Sequence, residues 1–175
     1  ARMPAAEMKI EDLCEIVRSA LFAEEFAHRD IDYAVDLPGV PVTIRCDSQH
    51  INRLLTNILQ NAQEAIEARQ PPDQGALAPG IINVDLIMDG PNAILDVRDN
   101  GIGLPAEGRE RVTEPYVTNR EKGTGLGLAI VKKIMEEHGG RMRLEDAKEG
   151  GARIHLSFPL YEKLNDEDVV RSGIA

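Results

Sequence analysis

Cysteine and positive charge are both scarce in this chain, and long apolar runs are missing. Only Cys14 and Cys46 occur, far apart and outside any CxxC or Cys/His pattern, which argues against a disulfide framework or a zinc cluster and reads as two reduced core thiols. Twenty Lys and Arg stand against thirty Asp and Glu, a formal net charge of -10, and no Lys/Arg block offsets it. Such a surface repels nucleic acid and anionic membranes, so a polyanionic ligand must be held by local geometry. No apolar run approaches the roughly 20 residues needed to cross a bilayer, and no basic region followed by an apolar stretch marks a secretory leader. The first residue is Ala1 rather than Met, which suggests a piece of a longer protein whose membrane anchor could lie upstream.

What is present supports one core: 175 residues at 42% hydrophobic fit a single domain with short extensions. After an irregular start, Leu13, Ile16, Val17, Ala20 and Leu21 recur at helical spacing and predict an amphipathic helix from Ile10 to about His28. Two extended pieces, 31–37 and 40–46, flank Pro38-Gly39 and predict a hairpin-like pair. Asp47 is a good N-cap for a long helix ending near Arg69. Residues 70–80, with three prolines and two glycines, read as a surface loop. Strands over 81–88 and 93–99 flank the turn Asp89-Gly90-Pro91-Asn92. From Asn100 to Thr124 apolar periodicity disappears, which predicts a functional loop with a helical turn near 107–112. Helical spacing resumes with Leu126, Ile130, Val131, Ile134 and Met135 and stops at His138-Gly139-Gly140. Two last strands, 141–145 and 152–158, flank the turn at 148–151, and a polar tail follows from Tyr161.

Three local patterns carry chemistry. On the long helix, at about 100° per residue, Asn57, Asn61 and Glu64 form a narrow polar stripe beside the apolar arc. Taken alone, such a stripe also fits an ordinary solvated face. Strand alternation puts Asp99 on the face of Leu95 and Val97, so a carboxylate points inward and needs donors; an adenine amino group supplies one. Gly101 and Gly103 let the backbone approach a flat ring, although Asp-Asn-Gly alone also fits a simple turn. Finally, Gly123-Thr124-Gly125-Leu126-Gly127 runs straight into a helix, an arrangement whose exposed N–H groups bind phosphate oxygens, with Arg120 and Lys122 adding positive charge. A Rossmann fingerprint would need an apolar strand before it, and 118–122 is no such strand. No GxxxxGK[ST] occurs, which excludes a P-loop.

Together, N57-xxx-N61, D99-x-G101-x-G103 and G123-x-G125-x-G127 resemble the N, G1 and G2 boxes of the ATPase/kinase superfamily that unites gyrase, Hsp90, sensor histidine kinases and MutL. The likeness spans about residues 10 to 160. Glu114 to Thr118 is similar to the F box of histidine kinases, Gly123 to Gly140 matches them closely, and the lid wording is most similar to nitrogen-regulation sensor kinases of the NtrY kind. The resemblance implies an α+β fold: a two-layer sandwich of the Bergerat type, with a mixed, mostly antiparallel sheet of about five strands covered by about three helices. It implies a linker remnant at 1–9, an ATP-binding catalytic domain at 10–160 with a lid at about 100–125, and a tail at 161–175.

By the same resemblance, Asn61 ligates Mg²⁺ that bridges the phosphates of ATP or ADP, and Asn57 lies close to the γ-phosphate. Asp99 accepts from adenine N6, with Gly101 and Gly103 beside the base. Gly123, Gly125 and Gly127 form the lid hinge and phosphate contact, joined by Lys122, Thr124 and Leu126. Tyr116 stands where phenylalanine is usual, as a lid packing residue, and Glu64 stands where many histidine kinases have lysine. The implied partners are the dimerisation and phosphoacceptor helices of the same kinase and an NtrX-like response regulator; neither nucleic acid nor direct membrane contact is expected. The piece would be a monomeric cytoplasmic domain of a membrane-anchored bacterial sensor kinase.

None of the four histidines lies in a phosphoacceptor motif. His28 is followed by Arg29-Asp30 without the expected proline; His50 is in the first turn of a helix; His138 ends one, where a cationic imidazole would suit the helix dipole; His155 alternates outward on a strand. All four read as structural. The expected activity is therefore phosphoryl transfer from ATP to a histidine outside this chain, with little turnover by the chain alone.

Overall fold

The computed structural model describes residues 3–73, 75–107, 109–114, 127–148 and 150–162. In chain order these form β1 (Lys9–Asp12), α1 (Leu13–Ala27), β2 (Ile31–Asp36), β3 (Thr43–Cys46), α2 (Ser48–Glu67), β4 (Gly80–Asp89), β5 (Asn92–Asp99), a 3-10 turn (Arg109–Arg111), α3 (Gly127–Glu137), β6 (Arg141–Asp146) and β7 (Ala152–Pro159). A five-stranded sheet has the order β2-β4-β5-β7-β6, parallel only between β2 and β4. Three helices cover one face of it, so the α+β two-layer expectation holds.

The central helix α2 shows why the layers form. No Gly or Pro interrupts residues 48–67, and the Asp47 carboxylate accepts from the N–H groups of Gln49 and His50 at 3.0 and 3.2 Å. Its apolar arc, from Ile51 through Leu54, Leu55, Ile58, Leu59 and Ala62 to Ile66, is buried, and α2 touches α1, α3, β4 and β5. The opposing sheet surface is Ile82, Val84 and Leu86 of β4, Ala93, Leu95 and Val97 of β5, and Ile154, Leu156 and Phe158 of β7, all buried. Truncating one such residue, for example Leu54→Ala, costs about 2–5 kcal/mol through lost burial and the cavity left behind.

Cys14 and Cys46 are free and buried in this core, and desolvation pushes the Cys46 thiol up to about 12, which leaves it unreactive.

The predicted hairpin of 31–37 with 40–46 does not form. Instead β2 pairs in parallel with β4, from Ile31↔Gly80 to Asp36↔Asp85, and β3 pairs with β1, part of the stretch expected to be irregular or helical. Pro41 has no N–H for a ladder. Beyond it the chain is captured by the start of α1: Asp12 Oδ1 accepts from Val42 N–H at 3.0 Å, and Leu13 N–H donates to the Val42 carbonyl at 2.8 Å. Asp12 also caps α1 through Cys14 N–H, so one carboxylate both starts the helix and turns β3 toward β1.

Among the described residues, the outer face of the sheet carries ion pairs and no second helical layer. Arg153 grips Asp96 with two hydrogen bonds at 2.8 and 2.9 Å, His155 Nδ1 lies 3.1 Å from the same carboxylate, and Arg98 pairs with Asp85. Burial alone would raise the Asp96 carboxyl, but the hydrogen bonds and charges of Arg153 and His155 outweigh it and hold it below the usual carboxylate range. His155 does point outward, as the alternation predicts.

Candidate functional site

Asn57, Asn61 and Glu64 lie half-buried along one flank of α2, where the helical period places them. Asn57 donates from Nδ2 to the Arg53 carbonyl at 2.7 Å, which orients its amide. The first residue of α3 arrives against this flank. A Cβ added at Gly127 would lie 3.2 and 3.3 Å from the two amide atoms of Asn61 and 3.5 Å from Asn57 Oδ1. Glycine at 127 therefore lets a helix start come within contact of the two asparagine amides.

One turn further along α2, the chain leaving β5 packs on Ala65. At Gly101 a Cβ would be 2.5 Å from the Ala65 carbonyl carbon, closer than any side chain permits, and Ile102 N–H donates to the Ala65 carbonyl at 3.0 Å. Asn100 secures the approach, accepting from Ile81 N–H and donating to the Pro79 carbonyl, both at 2.8 Å. Asp99, opposite Ile82 in the ladder, is on the core-facing side of β5 and only partly buried; its Oδ1 accepts from Gly101 N–H at 2.8 Å. From Asn57 to Ala65 the rise is only about 12 Å at 1.5 Å per residue. Helix start, amide pair and inward carboxylate thus border the same stretch of α2.

Sequence reasoning missed Gly151, in the β6–β7 turn. Its φ is +84°, and a Cβ there would fall 1.9 Å from the Asp99 carbonyl oxygen and 2.8 Å from Asp99 Oδ1. Gly103, at φ +81°, faces the Gly151 carbonyl at 3.3 Å from its would-be Cβ, and Ala152 N–H reaches Asp99 Oδ1 at 3.4 Å. The turn closes down on the carboxylate and helps aim it. Lys148-Glu149-Gly150-Gly151 signals a turn in the sequence, but only the ladder shows what it covers.

Of the other residues singled out, Tyr116, Lys122, Gly123, Thr124, Gly125 and Leu126 lie outside the described residues. The helical turn expected at 107–112 is the 3-10 turn Arg109–Arg111. A cleft of about 1060 Å³ lies elsewhere, between Arg109, α3 and the β6 edge at Arg141 and Arg143. Two of its cations are paired within the chain, Arg109 with Asp146 at 2.8 Å and Arg143 with Glu145 at 3.7 Å.

His138 corrects one expectation. It is not a cation at a helix end: its Nδ1 is 2.7 Å from the Ile134 carbonyl and its Nε2 accepts from Asp47 N–H at 3.0 Å, which requires a neutral ring. His50 is also buried, and His28 follows the last turn of α1.

Known proteins resemble this chain in sequence and in fold. The family described as histidine kinase-, DNA gyrase B-, and HSP90-like ATPase matches residues 46–162, so the chain belongs to that family. Nitrogen regulation protein NtrY of Azorhizobium caulinodans is 48% identical over 159 residues, covering 90% of this chain and 20% of that protein. A putative sensor histidine kinase NtrY-like from Rickettsia prowazekii is 34% identical over 164 residues, covering 93% of this chain and 26% of that one. The chain therefore spans about a fifth to a quarter of these relatives' length. Among solved structures, the mycobacterial sensor histidine kinase MprB aligns with a TM-score of 0.75 at 29% identity, covering 90% of this chain and all of that one. Within its family, the chain is an ATP-binding catalytic domain of the sensor-histidine-kinase kind.

Proposed function

We propose that this domain binds Mg-ATP between the α2 amide pair, Asp99 and the start of α3, and presents the γ-phosphoryl to a histidine on a separate helical domain for onward transfer to a response regulator. The observation that carries the reading is the convergence of Gly127 on Asn57 and Asn61 on the same flank of α2 that receives Gly101 at Ala65. Asp99 accepts from the adenine amino group, while Gly101 and Gly103 leave room for the ring. The donor set suits magnesium, which takes few protein oxygens and completes its shell with phosphates and water; Asn61 would hold it through its amide oxygen. When bound, the ion neutralises phosphate charge.

Asn57 is an amide and does not take a proton from water, which favours transfer over hydrolysis by this chain alone. The lid residues Tyr116, Lys122, Gly123, Thr124, Gly125 and Leu126 would complete the phosphate side. By likeness to NtrY the response regulator would be NtrX-like, and the full protein would be a membrane-anchored sensor with this domain in the cytoplasm. The domain division expected from the sequence, a linker remnant at 1–9 and a tail at 161–175 around the catalytic unit, is part of this proposal.

The test is calorimetric titration with ADP and with a non-hydrolysable ATP analogue, with and without Mg²⁺, followed by incubation with labelled ATP and the phosphoacceptor helices of a relative such as NtrY. Saturable binding, and acid-labile label on the added helices but not on this chain, is expected. No nucleotide binding, or stable label on one of the four histidines here, would overturn the proposal.

A further inference from the structure

Asp47 and His138 bolt the start of α2 to the end of α3. A carbonyl only accepts and a backbone N–H only donates, so the two partners of His138 fix its tautomer. Nδ1 carries the proton and gives it to the Ile134 carbonyl at 2.7 Å; Nε2 is bare and accepts from Asp47 N–H at 3.0 Å. His138 is only 7% exposed, so water offers Asp47 N–H little replacement. Asp47 is itself well anchored: one carboxylate oxygen caps α2 through Gln49 and His50, and the other accepts from Glu7 N–H at 2.8 Å. The neighbouring charges face His50 instead, Glu137 at 3.7 Å from its Nδ1 and Asp47 Oδ2 at 3.9 Å from its Nε2, with the two imidazole rings 6.3 Å apart.

α3 is 11 residues long, about 16 Å, and runs from Gly127 at the amide pair to this bolt. Besides its buried face of Val131, Ile134 and Met135, α3 is held at its two ends: by the approach of Gly127 to Asn57 and Asn61, and by the His138–Asp47 hydrogen bond. We infer that His138 is a positioning residue for the phosphate half of the nucleotide site, holding α3 so that its first residue seats on Asn57 and Asn61. This rests on the proposed nucleotide reading. Asp99 ends β5 and Gly101 packs on Ala65 of α2, so the base half of the site is anchored by elements other than the bolt.

The predicted signature is therefore a split between ligands. In His138→Leu, ADP affinity falls about tenfold, the range one buried hydrogen bond supplies. Adenosine, which has no phosphates, keeps its wild-type affinity. His138→Gln, whose amide oxygen can accept from Asp47 N–H, recovers most of the ADP affinity. Long-range proton–nitrogen spectra of the wild-type imidazoles at neutral pH show the Nδ1-protonated neutral ring at His138, a readout that stands even if the leucine variant does not fold. Equal weakening of ADP and adenosine, no weakening of either, or an imidazolium or Nε2-protonated ring at His138 would overturn the inference. Failure of the wild-type chain to bind ADP at all would instead remove the nucleotide reading beneath it.

Discussion

Asp96 and Asp99 sit three residues apart on the same strand and meet opposite fates. Asp96 faces outward, where Arg153 holds it with two hydrogen bonds and His155 approaches at 3.1 Å. Asp99 faces inward, at the strand end, where its Oδ1 is held by the N–H groups of Gly101 and Ala152. The period of two in a strand decides which is which: a step of three residues changes the face. One aspartate pairs with side-chain cations and braces the outer sheet face. The other accepts from backbone N–H groups at the strand end, where the proposed nucleotide site would have it accept from the base.

The most damaging way to break this contrast is Gly151→Val. Its Cβ would collide with the Asp99 carbonyl at 1.9 Å and its φ of +84° is hostile to a β-branched residue. Thermal melts should show a destabilisation of more than about 3 kcal/mol together with loss of ADP binding; a near-native melt with normal affinity would remove the turn from the site. Next in size is Asp99→Asn, expected to cost about 1.5–3 kcal/mol of ADP binding by calorimetry, as for hydrogen bonds to charged acceptors, with little change in melting temperature. Unchanged affinity would take Asp99 out of the base site.

Asp96→Asn should invert that pattern. Urea unfolding is expected to show a loss of about 1–2 kcal/mol, less than for a fully buried pair because Arg153 is partly exposed, while ADP affinity stays the same. Acid gives the smallest and most diagnostic effect. Asp47, where burial is outweighed by hydrogen bonds from Glu7, His50 and Gln49, and Asp96 both have lowered carboxyls. Their stabilisation is complete above the ordinary carboxylate value of about 4 and is lost as pH falls through their lower folded values. Unfolding free energies measured from pH 6 down to pH 2.5 should therefore decline less steeply in Asp96→Asn than in the wild type; parallel slopes would mean the pair carries no acid sensitivity.

Much of the site was legible because its parts are local. Asn57 and Asn61 need only the helical period, Asp99 only strand alternation, and Asp47 only cap chemistry. Gly151 was not legible, because its constraint comes from a strand end fifty residues earlier in the chain. The β2–β3 hairpin failed for a related reason: Pro38-Gly39 is a sound turn signal, but a turn does not choose partners. The Asp12 carboxylate and the open edge of β4 did that.

The order of residues alone determined the helices, most strand limits and the type of each chemical group, since periodicity, caps and turns act over a few residues. Tertiary structure decided which strands pair, that His138 is neutral rather than charged, and that Gly127 reaches Asn61. Those outcomes depend on hydrogen-bond partners and close approaches between segments distant in sequence, and such contacts come into being only when the core forms.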